Sequence, residues 1–335
     1  MVTQAFQLLL LLSPICVGAD IDMDMFDIIF FRTGIIVLFM ASLLDKPKRE
    51  MPAHINKIVL GLLGLCLASS FVHTFQPIVL HNFLNLFLAI VGFYIVYTYL
   101  DEKKNIIKFI IWAGAINLCF SISQRLGFDP IFDKVPQIGG GFLGNIPRLA
   151  NYFTLIITFL PFPFVLASIL LVRFTGQLVI LIPVTLVIFM KIKDFKKRII
   201  FGAILIIIMI AIRQQIYASL VKTRFIMFWM PALKAFFDRP LIGYGLGNTM
   251  VKDAGSVFSS YLQFMIGVGI FGLIWFGYVF KSIYKKIKNN VESIALVTLA
   301  LLMAIEYPIE MIRLWFTIMA IIVMFLLKQE TINAE

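Results

Sequence analysis

The chain has 335 residues, of which 61% are hydrophobic and only 14% are charged, whereas soluble domains are about 45–50% apolar and about 25% charged. No segment has the composition of a separate soluble domain. The net charge of +11 does not indicate a nucleic-acid partner, because many Lys and Arg residues stand in short clusters between apolar runs. Three cysteines, all within apolar runs, indicate neither a disulfide framework nor a zinc site.

The first part of the chain contains five apolar runs, each near the length of roughly 20 residues that one bilayer crossing needs. The first run partly resembles a signal peptide, but no Lys or Arg precedes Arg32, which favours a first transmembrane helix. The five predicted spans are Gln4–Gly18, Phe26–Leu44, Ile58–Phe75, Pro77–Leu100 and Ile106–Ile122.

The stretch from Leu149 to Met190 is long enough for three short crossings. Pro161 and Pro163 break the helix pattern once, and Thr175-Gly176 breaks it again. These breaks predict spans at Leu149–Leu160, Phe162–Phe174 and Gln177–Met190. The remaining predicted spans are Ile199–Ile212, Tyr261–Phe280, Val291–Ile305 and Ile309–Leu327.

Short basic connectors set the expected orientation, since clustered Lys and Arg stay on the cytoplasmic side. The four connectors are Asp45–Glu50, Asp101–Asn105, Lys191–Arg198 and Lys281–Lys288. If all four are cytoplasmic, the chain is an all-α polytopic transmembrane bundle of about 12 spans with both termini cytoplasmic. We expect one integral membrane domain over 1–335, with external loops at about 124–148 and 213–260, the larger of which is partly helical.

The first external loop continues into the motif IGGGFLGNIPRLANY, residues 138–152, in which Arg148 stands where a helix begins. Free N–H groups at a helix start together with an arginine suit an anion. The alternative is a flexible glycine loop with an arginine that extends to the membrane interface.

The second external loop carries the most distinctive pattern of the chain. KTRFIMFWMPALKAFF, Lys222–Phe237, interleaves basic and aromatic residues at helical spacing, which predicts an amphipathic helix on the membrane surface. Such a helix could also be an anchor without chemistry. DRPLIGYGLGN follows, and its alternating Gly243, Gly245 and Gly247 predict a tight turn; a dinucleotide loop is excluded because no strand precedes it.

The block Arg224–Leu273 resembles the core motif of the O-antigen ligase and polymerase family. That motif begins with an Arg on an aromatic-rich helix and continues as Pro-Leu-apolar-Gly-x-Gly-x-Gly, Tyr-Leu-Gln and Gly-apolar-Gly-Leu. Here these elements are RFIMFWMPALKAFFDRPLIGYGLGN and SSYLQFMIGVGIFGL, and GFLGNIPRLANY is similar to the family's glycine–asparagine helix start. Ser259 stands where many relatives have a His before Tyr-Leu-Gln.

The resemblance implies a GT-C-like glycosyltransferase of the bacterial inner membrane with its active site on the external face. Such an enzyme transfers glycan from undecaprenyl diphosphate with inversion, without a metal or cofactor, in O-antigen or exopolysaccharide synthesis. The missing His favours a polymerase slightly over a ligase. Partners would be the lipid-linked glycan, the bilayer and other polysaccharide-assembly proteins.

The site residues follow from this chemistry, because a departing lipid diphosphate needs cationic stabilisation. Arginine can supply it by donating two parallel hydrogen bonds to one phosphate group. Arg224 is the first catalytic candidate, and the general-base candidates are Asp238, Asp253 and Glu306; a structural ion pair with Arg313 is the alternative for Glu306. The predicted substrate-binding residues are Arg148, Arg239, Gly243, Gly245, Gly247 and Trp229.

Two other functions remain open. A transporter or flippase of lipid-linked glycan needs charged groups along a path through the bilayer, and the main deep charges are Arg32 and Arg173. Basic residues collect instead in the external loops, which favours a transferase. A membrane scaffold in an assembly complex would tolerate loss of Arg224, whereas a transferase would not.

Overall fold

The structure, a computed structural model, describes residues 1–13, 23–72, 77–100, 103–128, 146–161, 164, 192, 194–211, 213–217, 225–245, 259–284, 296–300, 302–303 and 314–333. In these residues all regular secondary structure is helical and no strand occurs, which confirms the all-α prediction. The predicted spans Phe162–Phe174 and Gln177–Met190 lie, apart from Phe164, outside the described residues.

The helices follow the apolar runs closely, although their ends extend into polar residues that a hydropathy pattern does not include. In chain order they are α1 Val2–Leu12, α2 Met23–Leu44, α3 Ala53–Val72, α4 Pro77–Tyr99, α5 Lys103–Arg125, α6 Ile146–Ile156, α7 Phe195–Ala211, α8 Arg213–Ile216, α9 Met230–Asp238, α10 Ser260–Val268, α11 Ile270–Tyr284 and α12 Leu314–Asn333.

Two basic connectors meet beside the start of α1. The carboxylate of Asp45, just after α2, accepts hydrogen bonds from the amino group of Met1 at 2.7 Å and the backbone N–H of Val2 at 2.8 Å. These two donors lower the pKa of Asp45, so its charge persists at neutral pH. The N–H groups of Lys48 and Arg49 donate to the carbonyl of Thr98, which places this connector beside the end of α4.

A third connector begins at the same end, because α11 runs antiparallel to α3. Ser69 contacts the carbonyl of Gly267, whereas Trp275 donates its Nε1–H to the carbonyl of Ile58 at 2.9 Å. Lys281 is six residues beyond Trp275, about 9 Å at 1.5 Å per residue, and so lies level with the start of α3. We name this end of the bundle the connector end.

The core of the bundle is built on close approach of α2, α4 and α12. A Cβ at Gly34 would lie 2.7 Å from Cζ of Phe316, and one at Gly92 would meet Ile35 Cδ1 and, at 3.4 Å, Met319 Sδ. Glycine at both positions lets side chains of the neighbouring helix approach the helix backbone directly. Small residues play the same part where helices associate in lipid.

Two described helices are long and apolar enough to cross a membrane, judged by length and composition alone: Ala53–Ser70 in α3 and Ile106–Arg125 in α5. Only 28% of the first stretch and 44% of the second are buried within the protein. Both helices therefore keep large apolar side chains on an outward face, such as Leu60 on α3 and Trp112 on α5. Large apolar side chains that are more than half exposed also occur on other helices, among them Leu44, Ile206, Ile207, Ile210 and Ile274.

One predicted span is wrong in its continuity. The sequence predicts a single helix over Tyr261–Phe280, but the structure divides it into α10 and α11 at Gly269, whose φ is +75°. Only glycine adopts this conformation readily, so the helix ends there and a new one begins. The predicted surface helix is present in its described part, where Phe225–Trp229 forms a π-helical turn that leads into α9.

The helix packing predicts that Gly34 on α2 and Gly61 on α3 differ in how well they tolerate a larger side chain. Gly34→Leu would force Phe316 and Leu9 to move, so we expect unfolding to become easier by about 1–3 kcal/mol, as for other overpacked cores. Gly61→Leu on α3 meets nothing within 4 Å and serves as the matched control. Thermal unfolding of the detergent-purified chain measures both; equal loss in the two variants would contradict the described packing.

Candidate functional site

The glycine turn at Arg239–Gly245 is bonded along its main chain to the break between α10 and α11. Tyr244 N–H donates to the carbonyl of Ile266 at 2.7 Å, and Gly245 N–H donates to that of Gly267 at 2.9 Å. In the opposite direction, Ile270 N–H donates to the carbonyl of Pro240 at 2.8 Å. Two segments more than 20 residues apart in the chain thus form one unit, which we call the turn–break unit, Arg239–Gly245 with Ile266–Ile270.

Glycines make this close approach possible. Gly243 has φ +72°, and a Cβ there would lie 2.6 Å from the carbonyl carbon and oxygen of Gly267. A Cβ at Gly269 would in turn overlap the carbonyl of Leu241. Gly245 also has a positive φ, +96°. The glycine pattern therefore serves backbone contact within the protein at these positions, in addition to any contact with a ligand.

The end of α3 supplies the third wall of the unit. The hydroxyl of Ser69 donates to the carbonyl of Ile242 at 2.8 Å and also lies in hydrogen-bonding contact with the carbonyl of Gly267. Ser69 stands 16 residues into α3, about 24 Å from the start of that helix at 1.5 Å per residue. The turn–break unit is therefore at the end of the bundle opposite the connector end.

Aromatic and cationic groups surround the turn. The guanidinium carbon of Arg239 lies 4.7 Å from the centre of the Tyr244 ring, a favourable cation–π distance. Trp229 and Tyr244 both pack on the small cluster of Ala232 and Ile266. Trp229 Nε1 is buried and has no hydrogen-bond partner among the described residues. Aromatic faces beside an arginine suit a sugar or a phosphate at the site.

Ser259 has a structural role at the position where many relatives carry a His. Its buried hydroxyl accepts a hydrogen bond from the N–H of Leu262 at 3.4 Å and so caps the start of α10. A serine is among the preferred residues at such a cap. The hydroxyl has no strong basicity, so Ser259 does not replace the base that a His would provide.

The structure brings together part of the predicted site. Arg239, Gly243, Gly245 and Trp229 all belong to the turn–break unit or pack on it. Asp238 is the last residue of α9; its side chain is exposed and has no ion pair among the described residues. Arg148 lies in the first turn of α6, as expected, although its side chain is outside the described part. Arg224, Asp253, Glu306 and Gly247 also lie outside it.

A set of buried polar side chains on and beside α5 and α6 was not predicted from the sequence. Six of them recur at helical spacing, three on α5 and three on α6 or in the turn that follows it. Their signal is polar residues at i, i+4 and i+7, or i, i+3 and i+7, within apolar runs. The residues are Asn117, Ser121 and Gln124, and Asn151, Thr154 and Thr158.

A groove of about 370 Å³ lies elsewhere, between α2, α3 and α4. Its walls are mainly apolar and include Phe39, Leu60 and Tyr99. Thr98, which bonds to the first connector, also lines it, so the groove lies toward the connector end and away from the turn–break unit. It is suited to an acyl chain and holds none of the predicted site residues.

No protein-family model matches the chain, and no curated protein sequence is significantly similar to it. The candidate site is therefore defined by its own residues and by the motif resemblance.

The turn–break unit predicts that Gly243→Ala is strongly destabilising. A left-handed conformation costs a non-glycine residue roughly 1–2 kcal/mol, and the overlap with Gly267 adds to it. Gly277→Ala on α11, where nothing lies within 4 Å, is the matched control and should be neutral or mildly stabilising. Thermal unfolding of the purified variants checks this; an unchanged midpoint for Gly243→Ala would contradict the docking of the turn.

The cap at Ser259 gives a separate prediction. Ser259→Ala removes the acceptor for Leu262 N–H, so we expect a loss of about 0.5–2 kcal/mol in unfolding free energy. Ser259→Asn keeps a capping oxygen and should retain most of the stability. Thermal unfolding of both purified variants measures this, and an unchanged midpoint for Ser259→Ala would contradict the cap.

Proposed function

We propose that the chain is a polytopic protein of the bacterial inner membrane, with the connector end in the cytoplasm. The outward apolar surfaces of α3 and α5 support burial in lipid, since exposed apolar surface on this scale is unfavourable in water. The gathering of three basic connectors at one end supports the orientation. On this assignment the turn–break unit faces the external side, where a lipid-linked glycan would be presented.

We further propose that this protein is a membrane glycosyltransferase that polymerises or ligates glycan carried on undecaprenyl diphosphate. One observation carries the proposal. The two motif elements that resemble the O-antigen ligase and polymerase family, PLIGYG and MIGVGIFG, bond to each other along their main chains. The two elements therefore have a physical reason to occur together in one sequence. This supports the view that the resemblance reflects a shared folded unit.

The chemistry assigned to this unit is an inverting displacement at the anomeric carbon. An acceptor hydroxyl forms the new C–O bond and loses its proton to a carboxylate, for which Asp238, Asp253 and Glu306 are the candidates. The bond from the anomeric carbon to the diphosphate oxygen breaks, and the electron pair leaves with the lipid diphosphate. Arg224, Arg148 and Arg239 would stabilise the negative charge that develops on this leaving group.

The polymerase is slightly favoured over the ligase. The group that stands at the family's His position is committed to a helix cap, and a hydroxyl there cannot accept a proton as an imidazole does. An exposed carboxylate such as Asp238 is the alternative base. This choice rests on the resemblance and on the cap of Ser259 together.

Removal of a charge-stabilising arginine should abolish synthesis while the protein is still made. We expect Arg224→Ala and Arg148→Ala each to lower glycan transfer about 100-fold or more, the cost usual for one such group. Lys234→Ala, which removes an exposed charge from α9, is the matched control and should be neutral. The measurement is the surface-polysaccharide profile of a deletion strain complemented with each variant at equal membrane level.

The polysaccharide profile distinguishes a polymerase, a ligase, a flippase and a scaffold. Single-repeat lipid products in the deletion strain indicate a lost polymerase, and lipid-linked polymer that never reaches its acceptor indicates a lost ligase. Accumulation of lipid-linked glycan on the cytoplasmic face would instead support a flippase. An unchanged profile removes the enzymatic proposal, and full activity of Arg224→Ala would favour a scaffold.

A further inference from the structure

A second polar cluster, separate in sequence from the turn–break unit, lies between α2 and α4. Arg32 of α2 donates its Nε–H to Oδ1 of Asn85 at 3.1 Å, and its Nη2 lies 3.2 Å from Nδ1 of His81. His81 and Asn85 are four residues apart and so lie on one face of α4. Among the described residues, Arg32 has no carboxylate partner.

Among the described residues, hydrogen-bond accounting leaves this cluster with more donors than acceptors. Arginine has five N–H groups and no acceptor, so Nδ1 of His81 must be the acceptor in their contact, and the proton of the neutral ring is then on Nε2. Oδ1 of Asn85 is likewise used by Arg32. Without a partner among the described residues are three N–H groups of Arg32, the Nε2–H of His81 and both N–H groups of Asn85 Nδ2, against a single remaining lone pair on Asn85 Oδ1.

The Asn85 amide shows that an acceptor is needed. Asn85 is only 7% exposed, and its Nδ2 is buried without a hydrogen-bond partner in the part of the chain that the structure describes. A buried unpaired donor costs about 1–3 kcal/mol, and water that could serve it is scarce within a bilayer. A charged arginine at this depth is also costly, so an uncompensated group of this kind points to a ligand.

We propose that Arg32, His81 and Asn85 form a binding site for a phosphate-type anion between α2 and α4. Converging charged and neutral N–H donors match the several acceptor oxygens of a phosphate or diphosphate. Arg32 precedes Asp45 by 13 residues, about 20 Å along α2, so the site is in the half of the bundle farther from the connector end.

The anion could be carried by a membrane lipid or could be free in solution, and both sources present the same oxygens. The inference does not depend on glycan transfer, because it follows from the donor balance of three side chains. Its failure would leave the proposed function standing, and inactivity of the Arg224 variant would not affect it.

The test uses the full chain purified in mild detergent and titrated with three probes: inorganic pyrophosphate, dioleoyl phosphatidylglycerol and dioleoylglycerol, which lacks a phosphate. Asn85→Asp is the decisive variant. It is isosteric and gives Arg32 a carboxylate, so it should be at least as stable as the wild type while repelling an anion. Asn56→Asp, which alters the partner of the Tyr94 hydroxyl on α4, is the matched control.

We expect saturable thermal stabilisation of the wild type by a phosphate-bearing probe, at least tenfold weaker in Asn85→Asp and within twofold in Asn56→Asp. A response to pyrophosphate identifies a free anion, and one to phosphatidylglycerol alone identifies a lipid headgroup; both support the site. If Asn85→Asp cannot be purified, Arg32→Lys is tested instead. Lysine keeps the charge but cannot donate two parallel hydrogen bonds to a phosphate, so binding should weaken about fivefold or more.

The proposal is overturned if no phosphate-bearing probe stabilises the wild type, or if dioleoylglycerol acts as strongly as phosphatidylglycerol. It is equally overturned if the substituted site, whether Asn85→Asp or its replacement Arg32→Lys, binds the effective probe within twofold of the wild type.

Discussion

Backbone groups released by the helix break at Gly269 must be paired within the protein, and this constraint organises the candidate site. A broken helix leaves carbonyls without their usual partners, which is costly in an apolar surrounding. Here the carbonyls of Ile266 and Gly267 accept N–H groups from the glycine turn, and Ser69 contributes its hydroxyl. The break and the turn therefore depend on each other, and neither would be stable in this form alone.

The mutual dependence of these segments explains where the chemically useful side chains lie. Docking of the turn holds Arg239 over Tyr244 and places Trp229 beside them, at the end of α3 far from the basic connectors. These bonds fix an otherwise irregular backbone, so the side chains that it carries are held at one end of the bundle, where the proposed substrate would meet them. The Arg32 cluster is a second polar element within the bundle, and it differs in kind because its donors come from side chains on regular helices.

Much of the helical framework could be predicted from hydropathy, since α2 to α5 coincide with apolar runs to within a few residues. The break at Gly269 could not be predicted in this way. The segments on both sides of it are apolar, and mean hydropathy carries no information about a positive φ. The tight turn at Gly243 and Gly245 could be predicted from the glycine spacing, but the contact of this turn with Ile266 and Gly267 is a long-range pairing that no local pattern encodes. The partners of Arg32 were missed for the same reason, as 49 and 53 residues separate them from it.

The most direct test of the turn–break unit is amide hydrogen exchange in the full chain reconstituted in nanodiscs. The account predicts that the N–H groups of Tyr244, Gly245 and Ile270, all donors to main-chain carbonyls, exchange far more slowly than those of an open loop. Exchange of these three amides at the rate of a freely solvated peptide would contradict it, because the glycine turn would then not be docked on the break.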